Sequence, residues 1–184
     1  EGWQFPLYDF ALGPVKQIVQ TEPIKLLAVF WPWDKVDVLY DLLVVVRFYL
    51  VGLSFSIFGF RFSQHPLATL CGSLSYMFCG FGIYAGVKHP SFLSPMILLP
   101  LLILGAEKIL RREKPWLFMA VVFLATVSSV YFAFMLAMAV FLYFIVRFFD
   151  LYGLNAKARP LNLIARFLLC GITALALSGI VLAP

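Results

Sequence analysis

Residues 116–149 read WLFMAVVFLATVSSVYFAFMLAMAVFLYFIVRFF, an apolar stretch in which Arg147 is the one charged residue. A helix crosses the hydrocarbon of a membrane, about 30 Å thick, with about 20 apolar residues. The stretch is therefore longer than an ordinary membrane span needs. It suits either one steeply inclined helix or two short helices joined by a hinge at Ser128-Ser129.

The distribution of positive charge favours the hinge. Cytoplasmic loops of membrane proteins carry an excess of Lys and Arg. With a hinge, residues 61–65, 107–115 and 147–160 lie on one side of the membrane, and the opposite short loops keep only Lys88. Without it, that asymmetry weakens. We therefore predict helices over about 116–128 and 130–148 and a cytoplasmic side that gathers Arg61, Lys108, Arg111, Arg112, Lys114, Arg147, Lys157 and Arg159.

The composition agrees with a membrane protein. Of the 184 residues, 63% are hydrophobic and 12% are charged, and the mean hydropathy is +0.97. Soluble domains are usually about half apolar and about a quarter charged. This excludes an ordinary soluble enzyme, a disordered chain and a nucleic-acid-binding module. The net charge of +5 does not indicate nucleic acid, because the basic residues lie between apolar runs; we expect membrane lipids as partners instead.

Further apolar runs extend this interpretation to an all-α bundle of about six transmembrane helices over residues 38–184. The other predicted spans are about 38–60, 66–87, 93–110 and 161–182. Pro100 and Gly105 are expected to interrupt the span at 93–110. The piece at 116–128 is short for a full bilayer, so we expect thinned lipid, protein cover or a cavity beside it.

Residues 1–37 differ from the rest of the chain, because they combine charged residues with four prolines that break any long helix. Short amphipathic pieces and an aromatic cluster at Phe30, Trp31 and Trp33 are typical of a headgroup boundary. We predict an extracytoplasmic loop carrying interfacial helices. The loops at 88–92 and 128–130 are predicted on the same side of the membrane.

Ionisable residues inside spans are costly and are therefore functional candidates. Arg47 has two open interpretations: it neutralises a carboxylate of another helix, or it holds an anionic phosphate. Asp41 lies near a helix end and is expected to be solvated. Glu107 is expected to pair with Arg111 one helical turn later, as an ion pair of structural value.

Candidates on the predicted outer side also keep two interpretations each. Lys88 and His89 suit a phosphate, although a histidine before Pro90 is also an ordinary turn residue. Tyr131 either points into a cavity beside the short helix or belongs to an aromatic belt. Asp9 suits a general base or metal ligand, or simply a turn. We expect no metal site, because the spacing of Cys71, Cys79 and Cys170 matches no metal motif.

Residues 89–149 resemble the YfhO family of bacterial membrane proteins. In that family a histidine-bearing outer loop precedes an apolar helix, a basic turn, a polar hinge and a helix that ends in an arginine-aromatic triplet. The segment YDFALG at 8–13 is similar to the family's aromatic-polar-glycine segment in the first outer loop. The matching positions here are His89, Pro100-Leu101, Gly105-Ala106-Glu107, Ser128-Ser129-Val130-Tyr131 and Arg147-Phe148-Phe149.

The resemblance implies a GT-C-type glycosyltransferase of the bacterial cell membrane. Such an enzyme moves a sugar from a polyprenyl-phosphate donor to an extracytoplasmic envelope acceptor, such as lipoteichoic acid. It also implies that this chain is part of a longer one whose catalytic Asp precedes Glu1, so that role is not carried over to Asp9. Lys88, His89 and Arg47 would serve the donor phosphate. Only some GT-C families use a divalent metal ion, so that cofactor stays open.

Two other functions remain open from the sequence. A transporter or flippase of lipid-linked substrates would use Asp41, Arg47 and Glu107 as a pathway and would favour pseudo-symmetric halves. The sequence contains no internal repeat of that kind. A non-catalytic assembly subunit would use its helices only to pack against partners.

Overall fold

The computed structural model describes residues 36–62, 65–88, 90–152 and 160–182, and within them the chain is helical with no strand. The predicted all-α class is confirmed. The predicted loop over 1–37 lies outside the described residues, except that Val36 and Asp37 already belong to the first helix. The described helices are α1 (Val36–Phe62), α2 (Pro66–Met77), α3 (Gly80–Lys88), a 3-10 turn (Pro90–Phe92), α4 (Leu93–Leu110), α5 (Trp116–Ser128), α6 (Val130–Tyr152) and α7 (Pro160–Leu182).

Four segments of the described chain are long and apolar enough to cross a membrane. They are Asp41–Phe62, Pro90–Leu110, Val130–Tyr152 and Asn162–Ile180, and they correspond to α1, α4, α6 and α7. Helix α5 is apolar but shorter. That α5 and the segment 66–87 also cross the membrane stays a prediction.

The segment predicted as one span over 66–87 is two helices, α2 and α3. Helix α2 ends at Met77, and Phe78 and Cys79 separate it from α3. A Cβ on Gly82 would lie 2.9 Å from the carbonyl oxygen of Met77, so the turn between the two helices requires a glycine there. The sequence contained this glycine, but only the turn shows why it is needed.

Helix α4 continues through Pro100 and Gly105, so the predicted interruption is wrong. A proline has no N–H, which leaves the carbonyl four residues earlier without its helical donor. That carbonyl belongs to Met96, and it accepts a hydrogen bond of 3.0 Å from the hydroxyl of Tyr76 in α2. A side chain of another helix thus replaces the missing backbone donor.

Helix α4 is the centre of the bundle. Of its membrane-spanning window 67% is buried, against 22%, 22% and 28% for the windows in α1, α6 and α7. It packs against α1 on one side and against α5, α6 and α7 on the other. Gly105 allows a close approach of α4 to α5, because a Cβ there would lie 2.9 Å from the Cα of Phe118.

The structure has a hinge where the sequence predicts one. Helix α5 ends at Ser128, Ser129 is extended (φ −168°, ψ 122°), and α6 starts at Val130. The far end of α6 then returns to the end of α4, since the Tyr152 hydroxyl donates a hydrogen bond of 3.0 Å to the Leu110 carbonyl. The last residues of α4 and α6 therefore lie together, and an ion pair between Arg61 of α1 and Glu113 brings the end of α1 there as well. This end of the bundle is called the basic end below.

Candidate functional site

An apolar groove of about 460 Å³ lies between α5, α6 and α7. Thr126 is the polar exception among its lining side chains, and its hydroxyl donates a 2.9 Å hydrogen bond to the Val122 carbonyl of its own helix. The groove thus offers an incoming molecule almost only hydrocarbon surface. Its lining residues are Leu102, Phe118, Val122, Ala125, Thr126, Val130, Ala133, Phe134, Ala137, Met138, Val140, Phe141, Phe167, Gly171 and Leu175.

The groove has a solid floor and an open rim. Helix α5 packs against both α6 and α7, and its buried Phe118 and Ala125 form part of the floor. On the rim, Phe134 and Met138 of α6 and Leu175 of α7 are exposed although they line the groove. In a membrane these rim side chains face lipid, so the opening is lateral.

Stacked aromatic rings close the groove toward the basic end. The ring of Phe167 lies 4.9 Å from that of Phe118 and 4.1 Å from that of Phe144, centroid to centroid. All three side chains are buried. Arg147 lies about one helical turn beyond Phe144 on α6, and a group of charged side chains begins there.

A buried carboxylate organises this charged region. Glu107 of α4 is fully buried, and Arg111 Nε donates to its Oε1 at 2.9 Å. From α6, Arg147 Nε donates to Oε2 at 3.3 Å and Arg147 Nη2 to Oε1 at 3.4 Å. The Tyr143 hydroxyl donates to Oε2 at 3.3 Å. Three side chains from two helices therefore satisfy one carboxylate, which fixes α6 against α4.

The structure thus contains the i,i+4 pair expected from the sequence and adds two partners that sequence reasoning missed. Arg147 and Tyr143 are four residues apart, so they lie on one face of α6. The hinge brings this face back to α4. Those two signals together, a basic-aromatic pair at helical spacing and a predicted hinge, would have identified them.

Other contacts hold the basic end together. Arg61, at the end of α1, forms an ion pair with Glu113 in the turn between α4 and α5. Arg166 of α7 donates from Nη2 to the Glu113 carbonyl at 3.0 Å, and Arg147 also pairs with Asp150. Four helices are therefore joined at this end by arginine side chains.

The opposite end of the bundle carries the hinge and the turn after α3. The rings of Phe92 and Phe132 meet edge to face at 5.2 Å, which places this turn beside the start of α6. Lys88 is exposed there; its Nζ donates to the Tyr84 hydroxyl at 3.2 Å and lies 4.7 Å from the centre of that ring.

Comparison with known families adds an independent finding. The family model described as "Bacterial membrane protein YfhO" matches residues 19–184. The chain belongs to the YfhO family of bacterial membrane proteins. Together with the four apolar helices, this makes it a multi-pass protein of the bacterial membrane. No curated protein and no solved structure matches the chain.

Two of the residues singled out by the YfhO resemblance or by their chemistry, His89 and Asp9, lie outside the described residues. Tyr131 is exposed, meets the ring of Phe132 edge to face at 5.4 Å, and is not among the residues that line the groove. Both interpretations of Tyr131, a cavity residue or part of an aromatic belt, stay predictions.

Within the YfhO bundle, α1 carries the remaining candidates. Asp41 is exposed, as expected for a solvated residue near a helix end. Arg47 is 2% exposed and shares the buried face of α1 with Leu43 and Val51. Its guanidinium therefore lies inside the bundle rather than on the lipid-facing side. Both interpretations of its role stay open predictions.

Metal ligands do not cluster in the part of the YfhO chain that the structure describes. Among residues 36–62, 65–88, 90–152 and 160–182, no three His, Cys, Asp or Glu side chains are close enough to hold a metal ion. The three cysteines are free thiols, of which Cys170 is buried.

Proposed function

We propose that this YfhO-family protein is a glycosyltransferase that takes a sugar from a polyprenyl-phosphate donor in the membrane. The groove between α5, α6 and α7 holds part of the polyprenyl chain, and the sugar passes to an extracytoplasmic envelope polymer such as lipoteichoic acid. Membership of the family supports a membrane role for the chain. The observation that carries the proposal is the groove, because it is apolar, open to lipid and closed at one end.

The length of the groove fits a chain from one leaflet. Its α6 wall extends from Val130, next to the hinge, to Phe141. At about 1.5 Å per residue these positions are about 16 Å apart along the helix. This is about half of the roughly 30 Å hydrocarbon core. A prenyl chain lying in the groove would therefore keep its phosphate at the hinge end of the bundle.

The charges at the two ends agree with this placement. At the hinge end Lys88 is exposed, four residues before Phe92, whose ring meets that of Phe132 near the start of α6. There it suits a donor phosphate together with His89. At the basic end the packed rings of Phe118, Phe144 and Phe167 lie at the end of the groove. A flippase needs a path that continues across the membrane, so the blind groove favours a transferase over that alternative.

Filling the groove tests the proposal. Ala137 and Ala139 are both exposed residues of α6, but only Ala137 lines the groove. Membranes containing the full-length protein are given a radiolabelled polyprenyl-phosphate sugar, and label in envelope polymer is measured. We expect Ala137→Trp to reduce transfer about tenfold at subsaturating donor, equivalent to about 1.4 kcal/mol of donor binding.

Ala139→Trp is the matched control, with the same substitution two residues away, and it should transfer label like the wild type. If Ala137→Trp also transfers normally while it accumulates and folds normally, the groove does not hold the donor. A separate Lys88→Ala, His89→Ala double variant tests the phosphate end. If that variant transferred label as well as the wild type does, Lys88 and His89 would not bind the donor phosphate.

A further inference from the structure

The turn that ends α4 contains an arginine in the left-handed backbone conformation. Arg112 has φ 61°, and within the described chain it is the one residue other than glycine with positive φ. Its N–H donates to the Ile109 carbonyl at 3.0 Å, and the N–H of Glu113 donates to the Lys108 carbonyl at 2.8 Å. This is the hydrogen-bond pattern of a Schellman motif, in which the left-handed position is usually glycine. An arginine there is strained.

Other elements hold this turn in place. The Glu113 carboxylate pairs with Arg61 of α1, and the Glu113 carbonyl accepts the 3.0 Å hydrogen bond from Arg166 of α7. The Leu110 carbonyl, just before the turn, accepts the bond from Tyr152 of α6. Two helices thus hold backbone carbonyls at the turn and a third holds the Glu113 side chain, so the position from which the Arg112 side chain extends is fixed as well.

The turn also concentrates positive charge for which the described residues supply no ion pair. At this end, arginines already form ion pairs with the carboxylates of Glu107, Glu113 and Asp150. Within residues 36–62, 65–88, 90–152 and 160–182, the structure gives no ion pair to Lys108, Arg112 or Lys114. Arg112 and Lys114 are exposed.

The depth of the turn in the membrane follows from its neighbours. It directly follows Leu110, the last residue of an apolar spanning segment. It directly precedes Trp116, whose side chain is 71% exposed. Exposed tryptophan at the end of a spanning segment is typical of the headgroup region. The unpaired cations are therefore at the level of lipid phosphates.

We propose that this turn binds the phosphate of an anionic phospholipid headgroup at the basic end of the bundle. The planar guanidinium of Arg112 donates paired hydrogen bonds to the phosphate oxygens, and Lys114 and Lys108 add positive charge beside it. The site is separate from the groove and does not depend on the proposed transferase activity. Phosphate is the chemistry recognised, and the lipid is the source that the depth of the turn favours.

A lipid titration of the full-length protein in neutral detergent tests the site. The midpoint of thermal unfolding is followed as phosphatidylglycerol or phosphatidylcholine is added. We expect phosphatidylglycerol to raise the midpoint of the wild type in a saturable way and phosphatidylcholine to have no such effect. Arg112→Gly should need about fivefold more phosphatidylglycerol for half of the shift, as expected for one cation lost near an anionic surface.

The same variant separates lipid binding from a structural role. Glycine adopts φ 61° without strain, so without added lipid Arg112→Gly should unfold no earlier than the wild type. Arg112→Lys keeps the charge but cannot donate the paired hydrogen bonds of a guanidinium. The phosphatidylglycerol concentration that it needs for half of the shift should therefore lie between those of the wild type and Arg112→Gly.

Two results would overturn the proposal. One is an unchanged phosphatidylglycerol titration of Arg112→Gly. The other concerns free phosphate: if inorganic phosphate at millimolar concentration raises the midpoint of the wild type as strongly as the lipid does, and fails to do so in Arg112→Gly, the turn binds soluble phosphate rather than a headgroup.

Discussion

The two halves of the bundle around α5 and α6 are built in opposite ways. Toward the basic end, buried charges and stacked rings join α4, α6 and α7, and Glu107 is fully enclosed. Toward the hinge, the same α6 forms the wall of a groove whose rim residues, such as Phe134, are exposed. Helix α6 is thus fixed to α4 at the basic end and borders the groove nearer the hinge.

The difference shows how a membrane bundle keeps a lipid-sized space open. Lipid tails are as apolar as the side chains that face them, so apolar surface alone does not hold membrane helices at a fixed separation. A buried ion pair does so, because removing one partner leaves an uncompensated charge in a low-dielectric interior. The Glu107 cluster therefore fixes α6, one of the helices that border the groove, against α4.

The largest effect is expected from removing the carboxylate of that cluster. Glu107→Ala leaves Arg111, Arg147 and Tyr143 without their shared acceptor. The two arginines that remain are 46% and 28% exposed, so we expect the free energy of unfolding to fall by about 3 kcal/mol, the lower end of the range for a broken buried pair. Unfolding in mixed micelles of neutral and denaturing detergent measures this difference.

Glu113→Ala serves as the comparison at the same end of the bundle. The Glu113 side chain is 40% exposed, and its ion pair with Arg61 belongs to a class that contributes about 1 kcal/mol or less. If both variants lost the same free energy of unfolding, the buried Glu107 cluster would contribute no more to stability than an exposed ion pair does.

Local sequence patterns predict a large part of this fold. Apolar run length located the helices α1, α4, α6 and α7, and charge asymmetry located the hinge at Ser128-Ser129. The Glu107–Arg111 contact follows from helical spacing alone. These features depend on residues within one turn, or on the overall distribution of charge, and both can be read directly along the chain.

The features that the sequence did not predict depend on contacts between distant residues. Pro100 was expected to interrupt α4, but the donor that replaces its N–H is Tyr76, from another helix. Arg147 reaches Glu107 across 40 residues. The groove was predicted only in part. The shortness of 116–128 allowed a cavity beside it as one of three options, but which residues line that space depends on how α6 and α7 pack against α5.

A smaller effect is expected where α4 approaches the floor of the groove. In Gly105→Ala the new methyl group would lie 2.9 Å from the Cα of Phe118 and 3.0 Å from its backbone nitrogen. Backbone atoms cannot rotate away, so α4 and α5 must separate. Overpacking of this kind costs about 1–3 kcal/mol. Thermal unfolding in detergent measures the loss.

The matched substitution is Gly179→Ala in α7, where an added Cβ meets nothing within 4 Å. Alanine has the higher helix propensity, so this variant should be unchanged or more stable, by up to about 1 kcal/mol. A similar loss of stability at both glycines would mean that the close contact with Phe118 is not what Gly105 provides.

The smallest effect concerns the hydrogen bond that lets α4 continue through its proline. Tyr76→Phe removes the donor to the Met96 carbonyl, which should cost about 0.5–1.5 kcal/mol.

Pro100→Ala supplies a backbone N–H to the same carbonyl. In that background the Tyr76 hydroxyl is partly redundant, so Tyr76→Phe should cost less than it does beside Pro100. A double-mutant cycle of unfolding free energies measures this coupling. Equal costs in both backgrounds would show that Tyr76 does not compensate for the proline, and the continuity of the central helix would then depend on its packing against the neighbouring helices.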